Sequence, residues 1–243
     1  MKPKPWYYVA TQGMPAQGSM TTQEPVRGIA ARIAALFAGR LWSRRDSGPI
    51  ADVESLSVFV RTRAFFVAQH KLYGYVKTRM GMNYPRMFKD DVFIESLNIA
   101  KLHVIAACLA DASIWAAGEI FPGADGDAAA RDSLAARCFQ EGISAMAAQD
   151  ATAELRATWL AAFRQRLAAT DWELDGDKHF SESPKALVRF APIADELKRL
   201  DAEIVRNSMK FAWVEVRAEF SKRVAPKEIL DDWKSRHSAA PET

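Results

Sequence analysis

The sequence predicts an all-α protein: an antiparallel bundle of about five or six helices behind an irregular N-terminal arm and a basic amphipathic helix. Three observations carry this. Breakers are scarce, with 12 glycines and 11 prolines in 243 residues, while alanine is frequent. Apolar residues recur at spacings of three and four through several long windows. Those windows end in helix stop signals rather than hairpin turns. Nearly half the residues are hydrophobic, which is enough for a sizeable core.

Residues 1–25 mix proline, glycine, glutamine and threonine without periodicity and read as an irregular arm. Residues 26–45 read as a helix with Val26, Ile29, Ile33, Leu36 and Phe37 on one side. Arg27 and Arg32 flank that stripe, and Arg40, Arg44 and Arg45 make its C-terminal end basic, where cations meet the partial negative charge of the helix. Such a helix suits the body of the protein, a partner protein, an anionic membrane surface or an import route. The charge supports treating this segment apart. Residues 1–51 hold seven Lys/Arg against Glu24 and Asp46, a net of +5, and the remaining 26 basic and 28 acidic residues give −2. The expected division is 1–48 for arm and basic helix, 49–236 for the bundle and 237–243 for a disordered tail.

"RRDSGPI" breaks the first helix. From Ala51 to Met80 the pattern is helical and apolar on two sides, as in a helix central to its bundle. Gly81 and Pro85 in "GMNYP" end it. A long helix follows near Lys89 to Ile120, opened by Asp90 and Asp91, with shorter ones near 126–149 and 151–170. The last long helix holds Ile193, Leu197, Leu200, Ile204, Asn207, Phe211, Val214 and Ala218 at alternating steps of four and three. That is a heptad seam, with one amide at its middle to set register. It fits packing inside the bundle, self-association or a partner helix. Pro226 opens a short terminal helix through Trp233.

Chemistry is sparse. Cys108 and Cys138 lack metal-type spacing and read as buried thiols. No uncharged apolar run approaches a membrane span, the longest near the middle being "VIAACLA", and the expected location is cytoplasmic or membrane-peripheral. There is no nucleophile elbow, phosphate loop or Glu-x-x-His pair, and no nucleic-acid module.

Three candidate sites emerge. The first is "DWELDGDKHFSE", residues 171–182, which resembles an EF-hand loop: Asp171, Glu173, Asp175, Gly176 and Glu182 fall at or near the ligand and turn positions. The resemblance implies a Ca2+ site. The segment departs from it in the length of Glu173, in Lys178 at the eighth position and in the absence of a sister loop. The alternative is a polar connector whose Ser183 caps a helix starting at Pro184. The second is a set of polar groups on the two central helices. Arg63, His70 and Lys77 share one face, and Asp91 and Glu95 share another. If these faces meet, they form an anion-binding or acid–base pocket; the alternative is structural ion pairing. The third is a corner of Met82, Tyr84, Met87 and Phe88, read as a docking surface or as the plug of the core.

The function expected from all this is a non-catalytic interaction protein, an adaptor or assembly factor. Its partner would be a protein, a second copy or an anionic membrane surface, not nucleic acid. An enzyme or anionic-ligand binder is the alternative, and a weak calcium binder the third reading.

Overall fold

The computed structural model describes residues 48–87, 89–121, 128–173 and 176–238. Among these the fold is all-α. Seven helices of nine residues or more follow one another: α1 Val53–Met80, α2 Asp91–Ile120, α3 Ala128–Ala145, α4 Ala153–Ala168, α5 Glu182–Phe190, α6 Asp195–Arg223 and α7 Pro226–Ser238. The expected basic helix at 26–45 lies outside the described residues.

The ends of the long helices follow from local chemistry. Asp52 and Ser55 form a reciprocal capping box at the start of α1, with Ser55 N donating to the Asp52 carboxylate at 2.7 Å. A further α1 donor, Val53 N, is satisfied from far along the chain by Asp232 of α7 at 2.9 Å. Gly81 closes α1 with φ of 50°, a conformation that glycine adopts without a Cβ penalty. Pro85 does not simply end the helix. It sits in a four-residue helical turn, Tyr84–Met87, where a missing N–H costs little. Asp90 then caps α2, accepting from Val92 N and Phe93 N.

Helix α2, rather than α1, is the centre of the bundle. It packs against α1, α3 and α5 most extensively and is buried along almost its whole length. By length and composition α2 is apolar enough to cross a membrane, with a mean hydropathy of 1.6 over 18 residues, of which 72% are buried. Uncharged runs in the sequence do not reveal this. Lys101, His103 and Asp111 interrupt the runs without lowering the average much. In this fold the apolar surface of α2 faces its neighbouring helices.

A connected series of aromatic rings joins α1, α2 and α6. Phe59 lies 5.4 Å from Phe220, Phe220 lies 4.8 Å from Trp115, and Phe180 bridges Trp115 to Trp213 at 5.5 and 4.5 Å. Each such pair adds about 0.5–1.5 kcal/mol beyond area burial. Both cysteines are free and buried. Burial pushes the Cys138 thiol up to about 12, against a contact with Ser57 Oγ at 3.6 Å. An isolated bridge pairs Ile50 with Val224, so the entry to α1 is held beside the exit of α6.

Candidate interaction surface

Helix α6 is amphipathic twice over. Its inner face carries Asp201, Val205, Met209, Ala212, Trp213, Val216 and Phe220, all buried against the body. Two ion pairs fasten that face to α1. Arg63 donates from Nε and Nη2 to the Glu219 carboxylate at 2.7 and 2.5 Å, and Arg79 pairs with Asp201, which also accepts from the Tyr75 hydroxyl at 2.9 Å. Arg63 precedes Arg79 on α1 while Glu219 follows Asp201 on α6, so the two helices run antiparallel. Burial pushes Glu219 up, but the hydrogen bonds and charge of Arg63, joined by Arg223, outweigh it and hold the carboxyl below its ordinary value.

The outer face of α6 is the heptad seam. Leu200, Ile204, Phe211 and Val214 are 75, 69, 68 and 42% exposed. Asn207 and Ala218 on the same line are exposed as well. From Leu200 onward the seam expected from the sequence exists as an outward stripe on α6, whereas Ile193 precedes the helix and packs against the core and Leu197 is half-buried. From Leu200 to Val214 the stripe extends about 21 Å along the helix. Scattered exposed apolar residues are ordinary, but an aligned row of four large ones is not. Its 3.5-residue period is the one that a second helix winding alongside can follow continuously.

The other expected sites are placed differently. Arg63 is buried over the Phe59 ring and engaged with Glu219, not with Asp91 or Glu95. His70 is exposed and stacks on Phe66 at 5.3 Å. Lys77, Asp91 and Glu95 are exposed, with Asp91 in the first turn of α2. The structure therefore does not bring this set together as a pocket between α1 and α2. Ion pairing of α1 does occur, but to α6.

In the EF-hand-like segment, Asp171 and Glu173 are exposed, and Asp171 accepts from Glu173 N at 3.0 Å. Asp175 lies outside the described residues. Glu182 is buried and takes Lys185 Nζ at 2.5 Å. Among the described residues no group of three or more metal-ligating side chains converges. Helix α5 begins at Glu182, not at Pro184, and its cap is not Ser183. The cap is Asp111 of α2, whose carboxylate accepts from Glu182 N at 3.3 Å and Ser183 N at 2.7 Å while pairing with Arg166 at 2.7 Å. Ser183 Oγ instead accepts from Trp213 Nε1 at 3.0 Å. Burial pushes Asp111 above the usual carboxylate range, against the pull of Arg166 and Ser183.

At the corner, Met82 is fully exposed and Met87 is half-buried against the core. Tyr84 belongs to the helical turn, and Phe88 lies outside the described residues. An open cleft of about 650 Å3 lies here, lined by Asn83, Arg86, Met87, Lys89 and Asp90.

No protein-family model, no curated protein and no solved structure matches this chain significantly. Function therefore rests on the surface itself.

Proposed function

We propose that this chain is a non-catalytic helical interaction protein, an adaptor or assembly factor, that docks another helix along the outer face of α6. The observation that carries the reading is the exposure of Leu200, Ile204, Phe211 and Val214 in a heptad row on a helix whose opposite face is anchored to the body. Covering each such side chain is favourable by about 1.5–3 kcal/mol, so the row supplies a driving force that outer-face polar residues would not. The inner face is held by the aromatic series and by the Arg63–Glu219 and Arg79–Asp201 pairs, so the outer face is presented on a rigid support.

The test is a photo-crosslinking amino acid placed at Phe211 of the full chain in the cell that makes it, with the exposed position Lys227 on α7 as control. The reading expects a covalent adduct from position 211 and none from 227. Absence of any adduct at 211 contradicts it. The basic segment 26–45 adds a membrane-peripheral element to the proposal. Charge reversal of Arg40, Arg44 and Arg45 in the full chain should then abolish co-sedimentation with anionic vesicles, and unchanged binding removes that element.

A further inference from the structure

The geometry points to a second copy of this chain as the helix that covers α6, in antiparallel orientation and in one register. This rests on the reading of that face as a helix-docking surface and adds the identity and pose of the occupant.

Charge selects the occupant. One flank of the stripe carries, in order, Glu196, Glu203, Lys210 and Arg217, spaced by seven. Glu196, Glu203 and Lys210 are exposed and Arg217 is half-buried. The flank is acidic in its N-terminal half and basic in its C-terminal half, so it is complementary to itself when reversed. In an antiparallel pair that places Ile204 against Asn207 of the second copy and Leu200 against Phe211, the same flanks adjoin. Glu203 then meets Lys210, and Glu196 meets Arg217, twice each by symmetry. Sliding by one heptad in either direction puts Lys210 beside Lys210 or Glu203 beside Glu203. A parallel pair opposes Arg217 to Lys222, which are like charges, and Lys210 to Glu215, which are opposite, so its flanking contacts cancel where those of the antiparallel pair all attract.

Asn207 selects the same register. In the pose described, the two amides lie about 4.5 Å apart along the axis, near enough to share hydrogen bonds across the two-fold. A heptad slip would set each amide against Phe211 or Leu197 of the second copy. On the other flank Ser208 is half-buried and Glu215 exposed, and neither adds a like-charge contact in this register.

The chain's own basic segment 26–45 is the rival occupant. The described body begins at Gly48, whose carbonyl accepts from Arg223 Nε at 3.0 Å beside the C-terminal end of α6. A helix carrying the five arginines of 26–45, if laid on that end of the stripe, would face Lys210, Arg217 and Lys222, and the charge match that favours a second copy is missing.

The test uses the purified full chain. Sedimentation equilibrium is expected to give twice 27.0 kDa, and Leu200→Glu with Phe211→Glu should return the mass to 27.0 kDa without altering the far-UV melting curve. Glu203→Lys should weaken self-association about tenfold and the double variant Glu203→Lys, Lys210→Glu should restore it. Under oxidation, the Leu200→Cys, Phe211→Cys double variant should form an interchain disulfide that neither single variant forms. Positions 200 and 211 are about 16 Å apart on one helix, so no intrachain bond competes. A monomer at about 100 µM protein, crosslinking by either single-cysteine variant or failure of the charge swap to rescue overturns the proposal. A monomer whose position 211 crosslinks in the cell to residues 26–45 or to another polypeptide overturns the second copy while leaving the docking face standing. With no adduct at all, both fall.

Discussion

Met209 and Phe211 lie two residues apart on α6 and point to opposite sides of it, the first wholly buried and the second 68% exposed. An α-helix turns about 100° per residue, so a two-residue step carries a side chain across the rod. The consequence is a sharp asymmetry in mutational cost. Met209→Ala should destabilise by about 2–5 kcal/mol through the cavity it leaves. Phe211→Ser should change monomer stability by no more than about 0.5 kcal/mol. Urea unfolding at protein concentrations below association checks both. Similar losses at the two positions would mean that the outer face packs within the chain.

Asp111 joins three elements at a point where water is excluded. It caps α5 from the middle of α2 and pairs with Arg166 of α4. Asp111→Ala should cost about 3–5 kcal/mol, because it leaves a guanidinium and two backbone donors without their acceptor. Asp111→Asn keeps an acceptor for the donors and should cost less, about 1–3 kcal/mol. Equal losses for the two variants, measured by denaturant midpoints, would show that the cap contributes nothing apart from charge.

His103 makes stability depend on acid. It stacks on Phe190 at 4.0 Å and meets the Trp159 ring edge-on at 5.4 Å, and its Nδ1 is buried without a hydrogen-bond partner. Burial, helped by the nearby charge of Arg189, lowers its pKa from 6.5 to about 4. The folded value lies below the unfolded one, so the fold prefers the neutral ring. Its contribution is complete above pH 6.5 and is lost as pH falls toward 4, about 3 kcal/mol in all. His103→Phe should keep the stack and flatten the stability profile across that window. The contribution of Glu219 is present above its unfolded value of 4.5, is lost below it and should persist in the variant. A profile between pH 6.5 and 4.5 that His103→Phe leaves unaltered contradicts this assignment.

Two helical glycines should respond with opposite signs. A Cβ at Gly142 of α3 would fall 2.5 Å from Leu109 Cδ2 and 3.1 Å from its Cδ1, and Leu109 is fully buried in α2. Gly142→Ala should therefore destabilise, by about 1–2 kcal/mol after the gain in helix propensity. Gly74 of α1 is exposed and has nothing within 4 Å of its would-be Cβ. Gly74→Ala should stabilise by about 0.5–1 kcal/mol. Thermal melts of the two variants suffice, and a stabilised Gly142→Ala would deny the close approach.

What the sequence made legible, and what it hid, differ by range. The helical class follows from local signals, and so do Gly81 and Asp90 at helix ends, because caps act within four residues. The heptad row on α6 was legible too, but not its direction. That helix carries a second apolar face through Val205, Met209, Ala212 and Val216, and periodicity alone does not say which face meets the core. The inner face drifts around the helix because it fits a body of several elements, whereas the outer one keeps a strict 3.5 repeat. Arg63 was visible as a notable charge, but its partner Glu219 stands 156 residues away, and Asp111 caps a helix 71 residues away. Spacing along one helix carries no information about such pairs.

The working protein is expected to keep the outer face of α6 covered by another helix. Hydroxyl-radical labelling of Phe211 tests it most directly, comparing the full chain in the cell that makes it with the same chain purified and diluted below micromolar concentration. Strong protection is expected in the cell and strong labelling after dilution. Equal labelling in both states would contradict it.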